Sequence, residues 1–219
     1  MKYLLFFLIF LGLWNIVEGE TRIIKLPEPR YKGNISVEEA LLRRRSIRSY
    51  KDEALSLKEI SQILWSAQGI TDKRTGFRTA PSAGALYPLE IYLVAGKVKD
   101  LEPGVYKYKP ETHEIILVLK EDKRNDLYIS ALRQEWIKNA PIVVVISAVF
   151  ERTTVKYGER GIRYVYMEAG HCSQNIYLQC VSLNLGTVAI GAFYDEEVKR
   201  VLNLQKNESP LYLMPIGKI

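Results

Sequence analysis

Arg78-Thr-Ala-Pro-Ser-Ala-Gly-Ala-Leu-Tyr-Pro-Leu-Glu-Ile-Tyr-Leu-Val-Ala95 joins two unlike halves. The first is small and bend-prone, with Pro81, Ser82, Ala83, Gly84 and Ala85, and the second, Leu89 to Ala95, is an apolar run of strand formers. A loop with little side-chain bulk lets a flat ligand approach backbone N–H groups. Pro81 and Pro88 bracket it and limit its freedom. Taken alone, the stretch reads as an ordinary helix-to-strand connection.

Working outward toward the C-terminus, Leu89–Ala95 is one strand, and Gly104–Lys109 and Glu114–Leu119 alternate as a hairpin around Pro110-Glu-Thr-His113. Residues 121–138 predict a helix with Leu127, Ile129, Leu132 and Trp136 as its apolar set. The β-branched run Ile142–Val149 predicts a central strand. From Arg160 to Asn184, Val165, Ala169, Cys172, Ile176, Cys180 and Leu183 recur at helical steps. That pattern predicts a long core or interface helix ended by Gly186. Thr187–Tyr194 reads as a strand, Glu196–Leu202 as a helix and Leu211–Ile216 as a last strand. The mixture implies an α+β fold around a mixed sheet.

Toward the N-terminus, residues 70–80 are polar and loop-like. Ser56-Leu-Lys-Glu59 and Ser36-Val-Glu-Glu39 are capping-box patterns. The first opens a helix burying Ile60, Ile63, Leu64 and Ala67. The second opens a helix with Val37, Ala40, Leu41 and Leu42 as its apolar face. Residues 20–34 form an extended arm, and residues 35–219 form one domain. Lys2 and the apolar residues that follow it, with Val17 and Gly19 ahead of Glu20, read as a secretory signal over residues 1–19, or as an anchor through residues 3–17. The chain is then expected to be secreted, periplasmic or membrane-attached.

The 219 residues carry a net charge of +6. A basic surface suits anionic ligands, and no nucleic-acid signature accompanies it. Cys172 and Cys180 lie eight residues apart on one helix, about 12 Å of rise, too far to bridge. His113, in the hairpin turn, is expected to be exposed, and His171 to be a core or interface residue. No metal spacing, nucleophile elbow or dinucleotide fingerprint is present. Any enzymatic chemistry therefore falls to a bound cofactor. Arg44-Arg45-Ser46-Ile47-Arg48 sets guanidinium forks beside a hydroxyl, which suits a phosphate; the alternative is a solvated basic helix end.

Four segments in this order resemble the nitroreductase-like flavoproteins: Arg44–Arg48, Pro81–Gly84 before a strand, the long helix to Leu185-Gly186, and Thr187–Gly191. Ala80–Pro88 with Glu168-Ala-Gly-His171 and Gln174-Asn175 is most similar to the SagB-type branch, which includes azoline oxidases. The resemblance implies a mainly antiparallel mixed sheet flanked by helices, with a long interface helix. It implies FMN held by a homodimer, with NAD(P)H as a possible electron donor. By position, Arg44, Arg45, Ser46 and Arg48 would hold the phosphate and ribityl chain, and Lys218 would reach the phosphate. Pro81, Ser82 and Ala83 would line the ring, and Ile190 and Gly191 would lie near its N5 edge. Lys156 and Tyr157 match the azoline-oxidase pair that abstracts a proton, with Arg160 and Arg163 as sources of positive charge. The expected substrate is a small planar acceptor or an azoline-like peptide heterocycle. The rival readings are a flavin- or nucleotide-binding module without turnover, and a basic extracytoplasmic interaction domain.

Overall fold

The computed structural model describes residues 22–219, so the predicted signal or anchor lies outside the described residues. Among the described residues no helix is long and apolar enough to cross a membrane.

The core is a seven-stranded sheet. In chain order its strands are β1 (Ile23–Lys25), β4 (Leu89–Ala95), β5 (Gly104–Lys109), β6 (Glu114–Leu119), β7 (Ile142–Ala148), β8 (Leu185–Thr187) and β9 (Ser209–Lys218); β2 (Ile70–Asp72) and β3 (Phe77–Arg78) make a separate hairpin. The spatial order is β1-β6-β5-β4-β7-β9-β8. Every ladder is antiparallel, and parallel contact is confined to single bridges such as Ser46 to Thr187.

β4 and β7 lie side by side with Leu89 opposite Ala148 and Ala95 opposite Ile142. Their side chains alternate between two apolar layers. Leu89, Ile91, Leu93, Ile142, Val144 and Ile146 face one core, while Tyr92, Val94, Val143 and Val145 face the other. Burial on both faces explains why these strands read as continuous apolar runs. The first layer packs under α2 (Leu57–Gln68) and α6 (Arg160–Ser182). The second packs under α3 (Arg124–Ser130), α4 (Glu135–Asn139) and α7 (Asp195–Leu202). The full Ser56–Glu59 capping box starts α2, and Ile60, Ile63, Leu64 and Ala67 are wholly buried. α1 (Val37–Arg43) and α5 (Glu151–Tyr157) complete the helices.

Several expectations are corrected. The arm is not merely extended: it supplies β1, paired with β6, and buries Leu26. Residues 70–80 hold the β2–β3 hairpin rather than a loop. The single helix over 121–138 is two, because Leu132 and Arg133 take left-handed φ of 55° and 57°. The Gln134 side-chain amide satisfies the carbonyls of Ala131 and Ala192 at that break. Ile129 and Leu132, assigned to the apolar set, are half exposed. α6 ends at Ser182 with Asn184 left-handed, and Gly186 lies within β8 instead of stopping the helix. Thr187–Tyr194 is not a strand. Beyond β8 only Ile190 bridges Leu213, because Tyr177 Oη takes the Ala189 N–H at 2.8 Å and draws the backbone off the ladder. On α1 only Ala40 is buried, leaving Val37, Leu41 and Leu42 exposed.

Candidate active site

The predicted residues assemble into two groups set against α6. The first is the basic segment after α1. Ser46 bridges Thr187, and the Ile47 N–H donates to the Thr187 carbonyl at 2.9 Å. This places Arg44–Arg48 beside the segment that carries Ile190 and Gly191. Tyr177 of α6 ties the two together. Its hydroxyl lies 3.0 Å from Ser46 Oγ while accepting the Ala189 N–H, and its ring sits 5.2 Å beneath the Arg44 guanidinium. Arg48 stacks 5.5 Å over Trp136. Arg45 donates to the carbonyls of Leu42 and Arg44. Arg43 pairs with Glu39, whereas among the described residues no carboxylate pairs with Arg44, Arg45 or Arg48. Three guanidinium groups without counter-charges, fixed by backbone and rings, suit a phosphate. Lys218 is not among them. At the end of β9 its ammonium pairs with Glu59, the capping residue of α2.

The second group is the Pro81 loop. Ala83–Ala85 form one 3₁₀ turn, and Gly84, Ala85 and Tyr87 all have left-handed φ, at 64°, 54° and 46°. The Ser82 Oγ accepts the Tyr87 N–H at 2.9 Å, closing the loop on itself. Arg78 lies 4.5 Å under the Tyr87 ring and bonds Gln68 and Glu111. The Asn175 amide of α6 donates to the Thr79 carbonyl.

Lys156 and Tyr157, at the end of α5, meet this loop at Gly84. A Cβ there would stand 2.8 Å from Tyr157 Oη and 3.0 Å from Lys156 Nζ. Only glycine gives that cradle both its backbone angle and its space. The pair is therefore on a helix end, with Lys156 exposed and Tyr157 half buried. Arg152, one turn earlier on α5, donates to the Tyr87 carbonyl at 3.1 Å and pairs with Glu90. Arg160 and Arg163 are exposed near the start of α6.

The two groups occupy opposite flanks of α6. Asn175 supports the loop, and Tyr177 supports the basic segment. At about 100° per residue, the two point about half a turn apart. A cavity of about 430 Å³ lined by Tyr31, Trp65, Thr79 and Asn175 opens beside the loop's start.

Glu168 is buried, and burial pushes its carboxyl up to about 7 against the pull of Ser82, Arg78 and Gln68. His113 departs from its expected exposed role. It is half buried, joining Tyr108 Oη and Ser61 Oγ at 2.8 Å each and reaching the Pro27 carbonyl. His171 is exposed, and both cysteines are buried and unpaired. Tyr177 escaped sequence reading, Trp136 was read only as part of an apolar helix face and Tyr87 only as part of the loop, since an aromatic residue carries no sign of what it will stack on.

The Nitroreductase family profile matches residues 41–218. The chain belongs to the nitroreductase family. A nitroreductase-family protein of Methanocaldococcus jannaschii is 50% identical over 200 residues, 91% of this chain and 98% of its own. The microcin B17-processing protein McbC of Escherichia coli is 28% identical over 172 residues, 75% of this chain and 63% of its own. A nitroreductase crystal structure from Ralstonia eutropha superposes with a TM-score of 0.80 at 29% identity, covering 90% of this chain and 89% of that one. The chain is thus a nitroreductase-family oxidoreductase with that family's fold, and SagB-type relatives such as McbC stand at lower identity.

Proposed function

We propose that this chain is an FMN-dependent, SagB-type oxidoreductase that works as a homodimer. The observation that carries the reading is the division of the site. Unpaired guanidinium groups with Ile190 and Gly191 lie on one flank of α6, and the small-residue loop with Lys156 and Tyr157 lies on the other. A cofactor with an anionic tail and a flat head needs both. One copy would supply Arg44, Arg45, Ser46 and Arg48 to the phosphate and ribityl chain, and its partner would supply Pro81, Ser82 and Ala83 to the ring. Lys218, engaged by Glu59, would have to leave that pair to reach the phosphate. The exposed apolar residues Ile162, Tyr166 and Met167 of α6, with Leu41 and Leu42 of α1, give a second copy apolar surface to cover.

Bound FMN supplies reversible hydride chemistry, with NAD(P)H as the candidate donor. The protein's part is binding, orientation and proton handling. Lys156 Nζ and Tyr157 Oη converge over Gly84, and in this reading the pair would move a proton at a substrate carbon beside the ring. That pair, and the likeness to a microcin B17-processing protein, favours a peptide heterocycle of azoline type over a nitroaromatic or quinone. We also propose that the apolar run within residues 3–17 takes the chain to a membrane, as export signal or anchor. Recovery from the soluble cytosol of a chain whose mass begins at Met1 would overturn that.

The deciding experiment is an absorption spectrum of the purified domain before and after adding FMN, followed by bleaching with NAD(P)H and reoxidation by an acceptor. Flavin bands that bleach and return support the enzyme. Bands that never bleach leave a binding module. Folded protein that binds no flavin in excess FMN removes the proposal.

A further inference from the structure

α5 carries Lys156 and Tyr157, yet little of it is packed. Of its seven residues only Thr153 is buried, no side chain caps its start, and Val155 stands exposed. α6 holds one side of this helix. Gly161 lies so close that a Cβ there would stand 3.0 Å from the Thr153 and Thr154 backbone, and the Tyr164 ring meets Tyr157 edge-on at 5.2 Å. These contacts fix α5 against α6. They do not fix it against the Pro81 loop, where Lys156 and Tyr157 meet Gly84.

Two hydrogen bonds cross to the loop's exit. The Val149 N–H, just ahead of α5, donates to the Pro88 carbonyl at 2.9 Å. The other comes from Arg152. Its Nη1 donates to the Tyr87 carbonyl at 3.1 Å, while its Nη2 pairs with Glu90 near the start of β4. Tyr87 is held in the left-handed region, and its N–H is already taken by Ser82 Oγ. Arg152 thus satisfies the second backbone group of that residue. Glu90 is an anchored partner. Lys107 of β5 holds its other oxygen at 3.1 Å and is held in turn by buried Glu208 at 2.8 Å. Sheet, loop and helix meet at one planar group. Arg152 and Lys156 are four residues apart, on one side of α5. The residue that grips the loop's exit is therefore aligned with one that reaches its Gly84 turn.

We propose that Arg152 is a positioning residue for Lys156 and Tyr157: by clasping the Tyr87 carbonyl and the Glu90 carboxylate together, it sets the spacing between the end of α5 and the ring-lining loop. The inference rests on the proposed site for its catalytic consequence, but the spacing itself belongs to the unliganded chain. The clasp needs two donors in one plane, which a guanidinium supplies and an ammonium on a flexible stem does not. The Arg152 side chain is 42% exposed and Glu90 keeps Lys107 without it, so its loss leaves no buried charge unpaired. Substitution should loosen the site without unfolding the chain.

The test sets Arg152→Ala and Arg152→Lys beside wild type. Amide exchange without FMN reads Tyr87 in the loop and Gly158, whose N–H closes the last turn of α5 on the Thr154 carbonyl. In Arg152→Ala both are expected to exchange roughly tenfold faster, the fold-change for one lost charge-assisted hydrogen bond, with β7 amides unchanged. Arg152→Lys should melt with wild type, because it keeps a charge beside Glu90, yet exchange as fast as Arg152→Ala. With FMN bound, the rate at which a synthetic thiazoline peptide bleaches the flavin without oxygen should fall on the order of 100-fold in both variants. FMN affinity and bleaching by dithionite should stay as in wild type. A merely structural role would lower melting and FMN affinity together. Equal exchange in Arg152→Ala and wild type, or full rescue by Lys, would overturn the proposal whether or not flavin binds. If wild type takes up no FMN, or the peptide does not bleach it, the proposed function or its substrate fails, and the exchange rates still decide the role of Arg152.

Discussion

The two halves of the site are built in opposite ways. Around Arg44–Arg48 the charges are uncommitted. The guanidinium groups rest on rings and backbone carbonyls, and no carboxylate among the described residues neutralises them. Around the Pro81 loop nearly every charge is committed inside the fold. Arg78 pairs with Glu111, Arg152 with Glu90, and Glu90 with Lys107, which also holds buried Glu208 at 2.8 Å. The first half leaves its charges without carboxylate partners among the described residues. The second spends them on holding a loop and a helix end in register. Mutations should therefore divide cleanly: in the first half they change binding, and in the second stability and geometry.

The largest effect is expected at Glu208. It is 1% exposed and receives bonds from Lys107, Tyr92 at 2.7 Å and Ser147 at 3.2 Å. Glu208→Ala leaves these donors buried around a void, and loss of one member of such a network costs about 3–5 kcal/mol. Lys107 retains Glu90, so the lower end applies. Thermal and urea unfolding measure it. A change below about 1 kcal/mol would mean that the loop side is not held by its committed charges.

Gly84→Val comes next and separates geometry from stability. The added carbons would meet Tyr157 Oη and Lys156 Nζ, at a φ of 64° that side chains resist. Displacing reacting groups by about 1 Å costs on the order of 100-fold in rate. Turnover of the FMN-loaded enzyme should fall by that factor while circular dichroism is unchanged. Gly76→Ala is the control, since it too has positive φ but open space around it. It should cost about 1–2 kcal/mol of backbone strain and no specific rate effect. Equal rate losses in the two would remove the case for the Lys156–Tyr157 cradle.

Arg48→Ala tests the other half. A lost charge-assisted hydrogen bond is worth about 1.5 kcal/mol or more, so FMN should bind on the order of 10-fold more weakly. The unliganded protein should melt within about 0.5 kcal/mol of wild type. A large melting shift with unchanged affinity would invert the comparison.

What was legible in the sequence follows the same division. Continuous apolar runs marked β4 and β7, the Ser56–Glu59 box marked the start of α2, and alternation marked the β5–β6 hairpin, all from local patterns. The Pro81–Gly84 loop and Arg44–Arg48 were legible as chemistry because small residues and clustered guanidinium groups are unusual in themselves. Partners supplied from afar were not legible. Glu59 claims Lys218 across 159 positions of sequence, and Tyr177 reaches Ser46 across 131. The break at Leu132 and Arg133 depends on Gln134 finding the Ala192 carbonyl, again a long-range contact. The apolar face of α1 was legible as a pattern, but its exposure in the single chain was not.

The smallest expected effect is at His113, and it sharpens the contrast within the committed half. His113 joins the arm at Pro27, α2 at Ser61 and the hairpin at Tyr108. Burial lowers its pKa from the ordinary 6.5. Its neutral form is therefore the one the fold prefers. As pH falls through 6.5 the unfolded chain takes up the proton first, so stability is lost toward acid. Glu168 carries the opposite sign. Its raised pKa means that the unfolded carboxyl ionises first as pH rises from 4.5 to about 7, so stability is lost in that direction, by about 3 kcal/mol. The two slopes oppose each other in wild type, and the Glu168 slope, set by the larger shift, prevails as pH rises toward 7. His113→Asn suits the left-handed backbone at φ 54° and removes one slope. Its melting temperature should lie below wild type at pH 8 and approach it as the pH falls below 6.5. A gap that stays constant with pH would show that His113 contributes packing but no titration. FMN affinity should not follow this slope at all, because His113 touches neither half of the site.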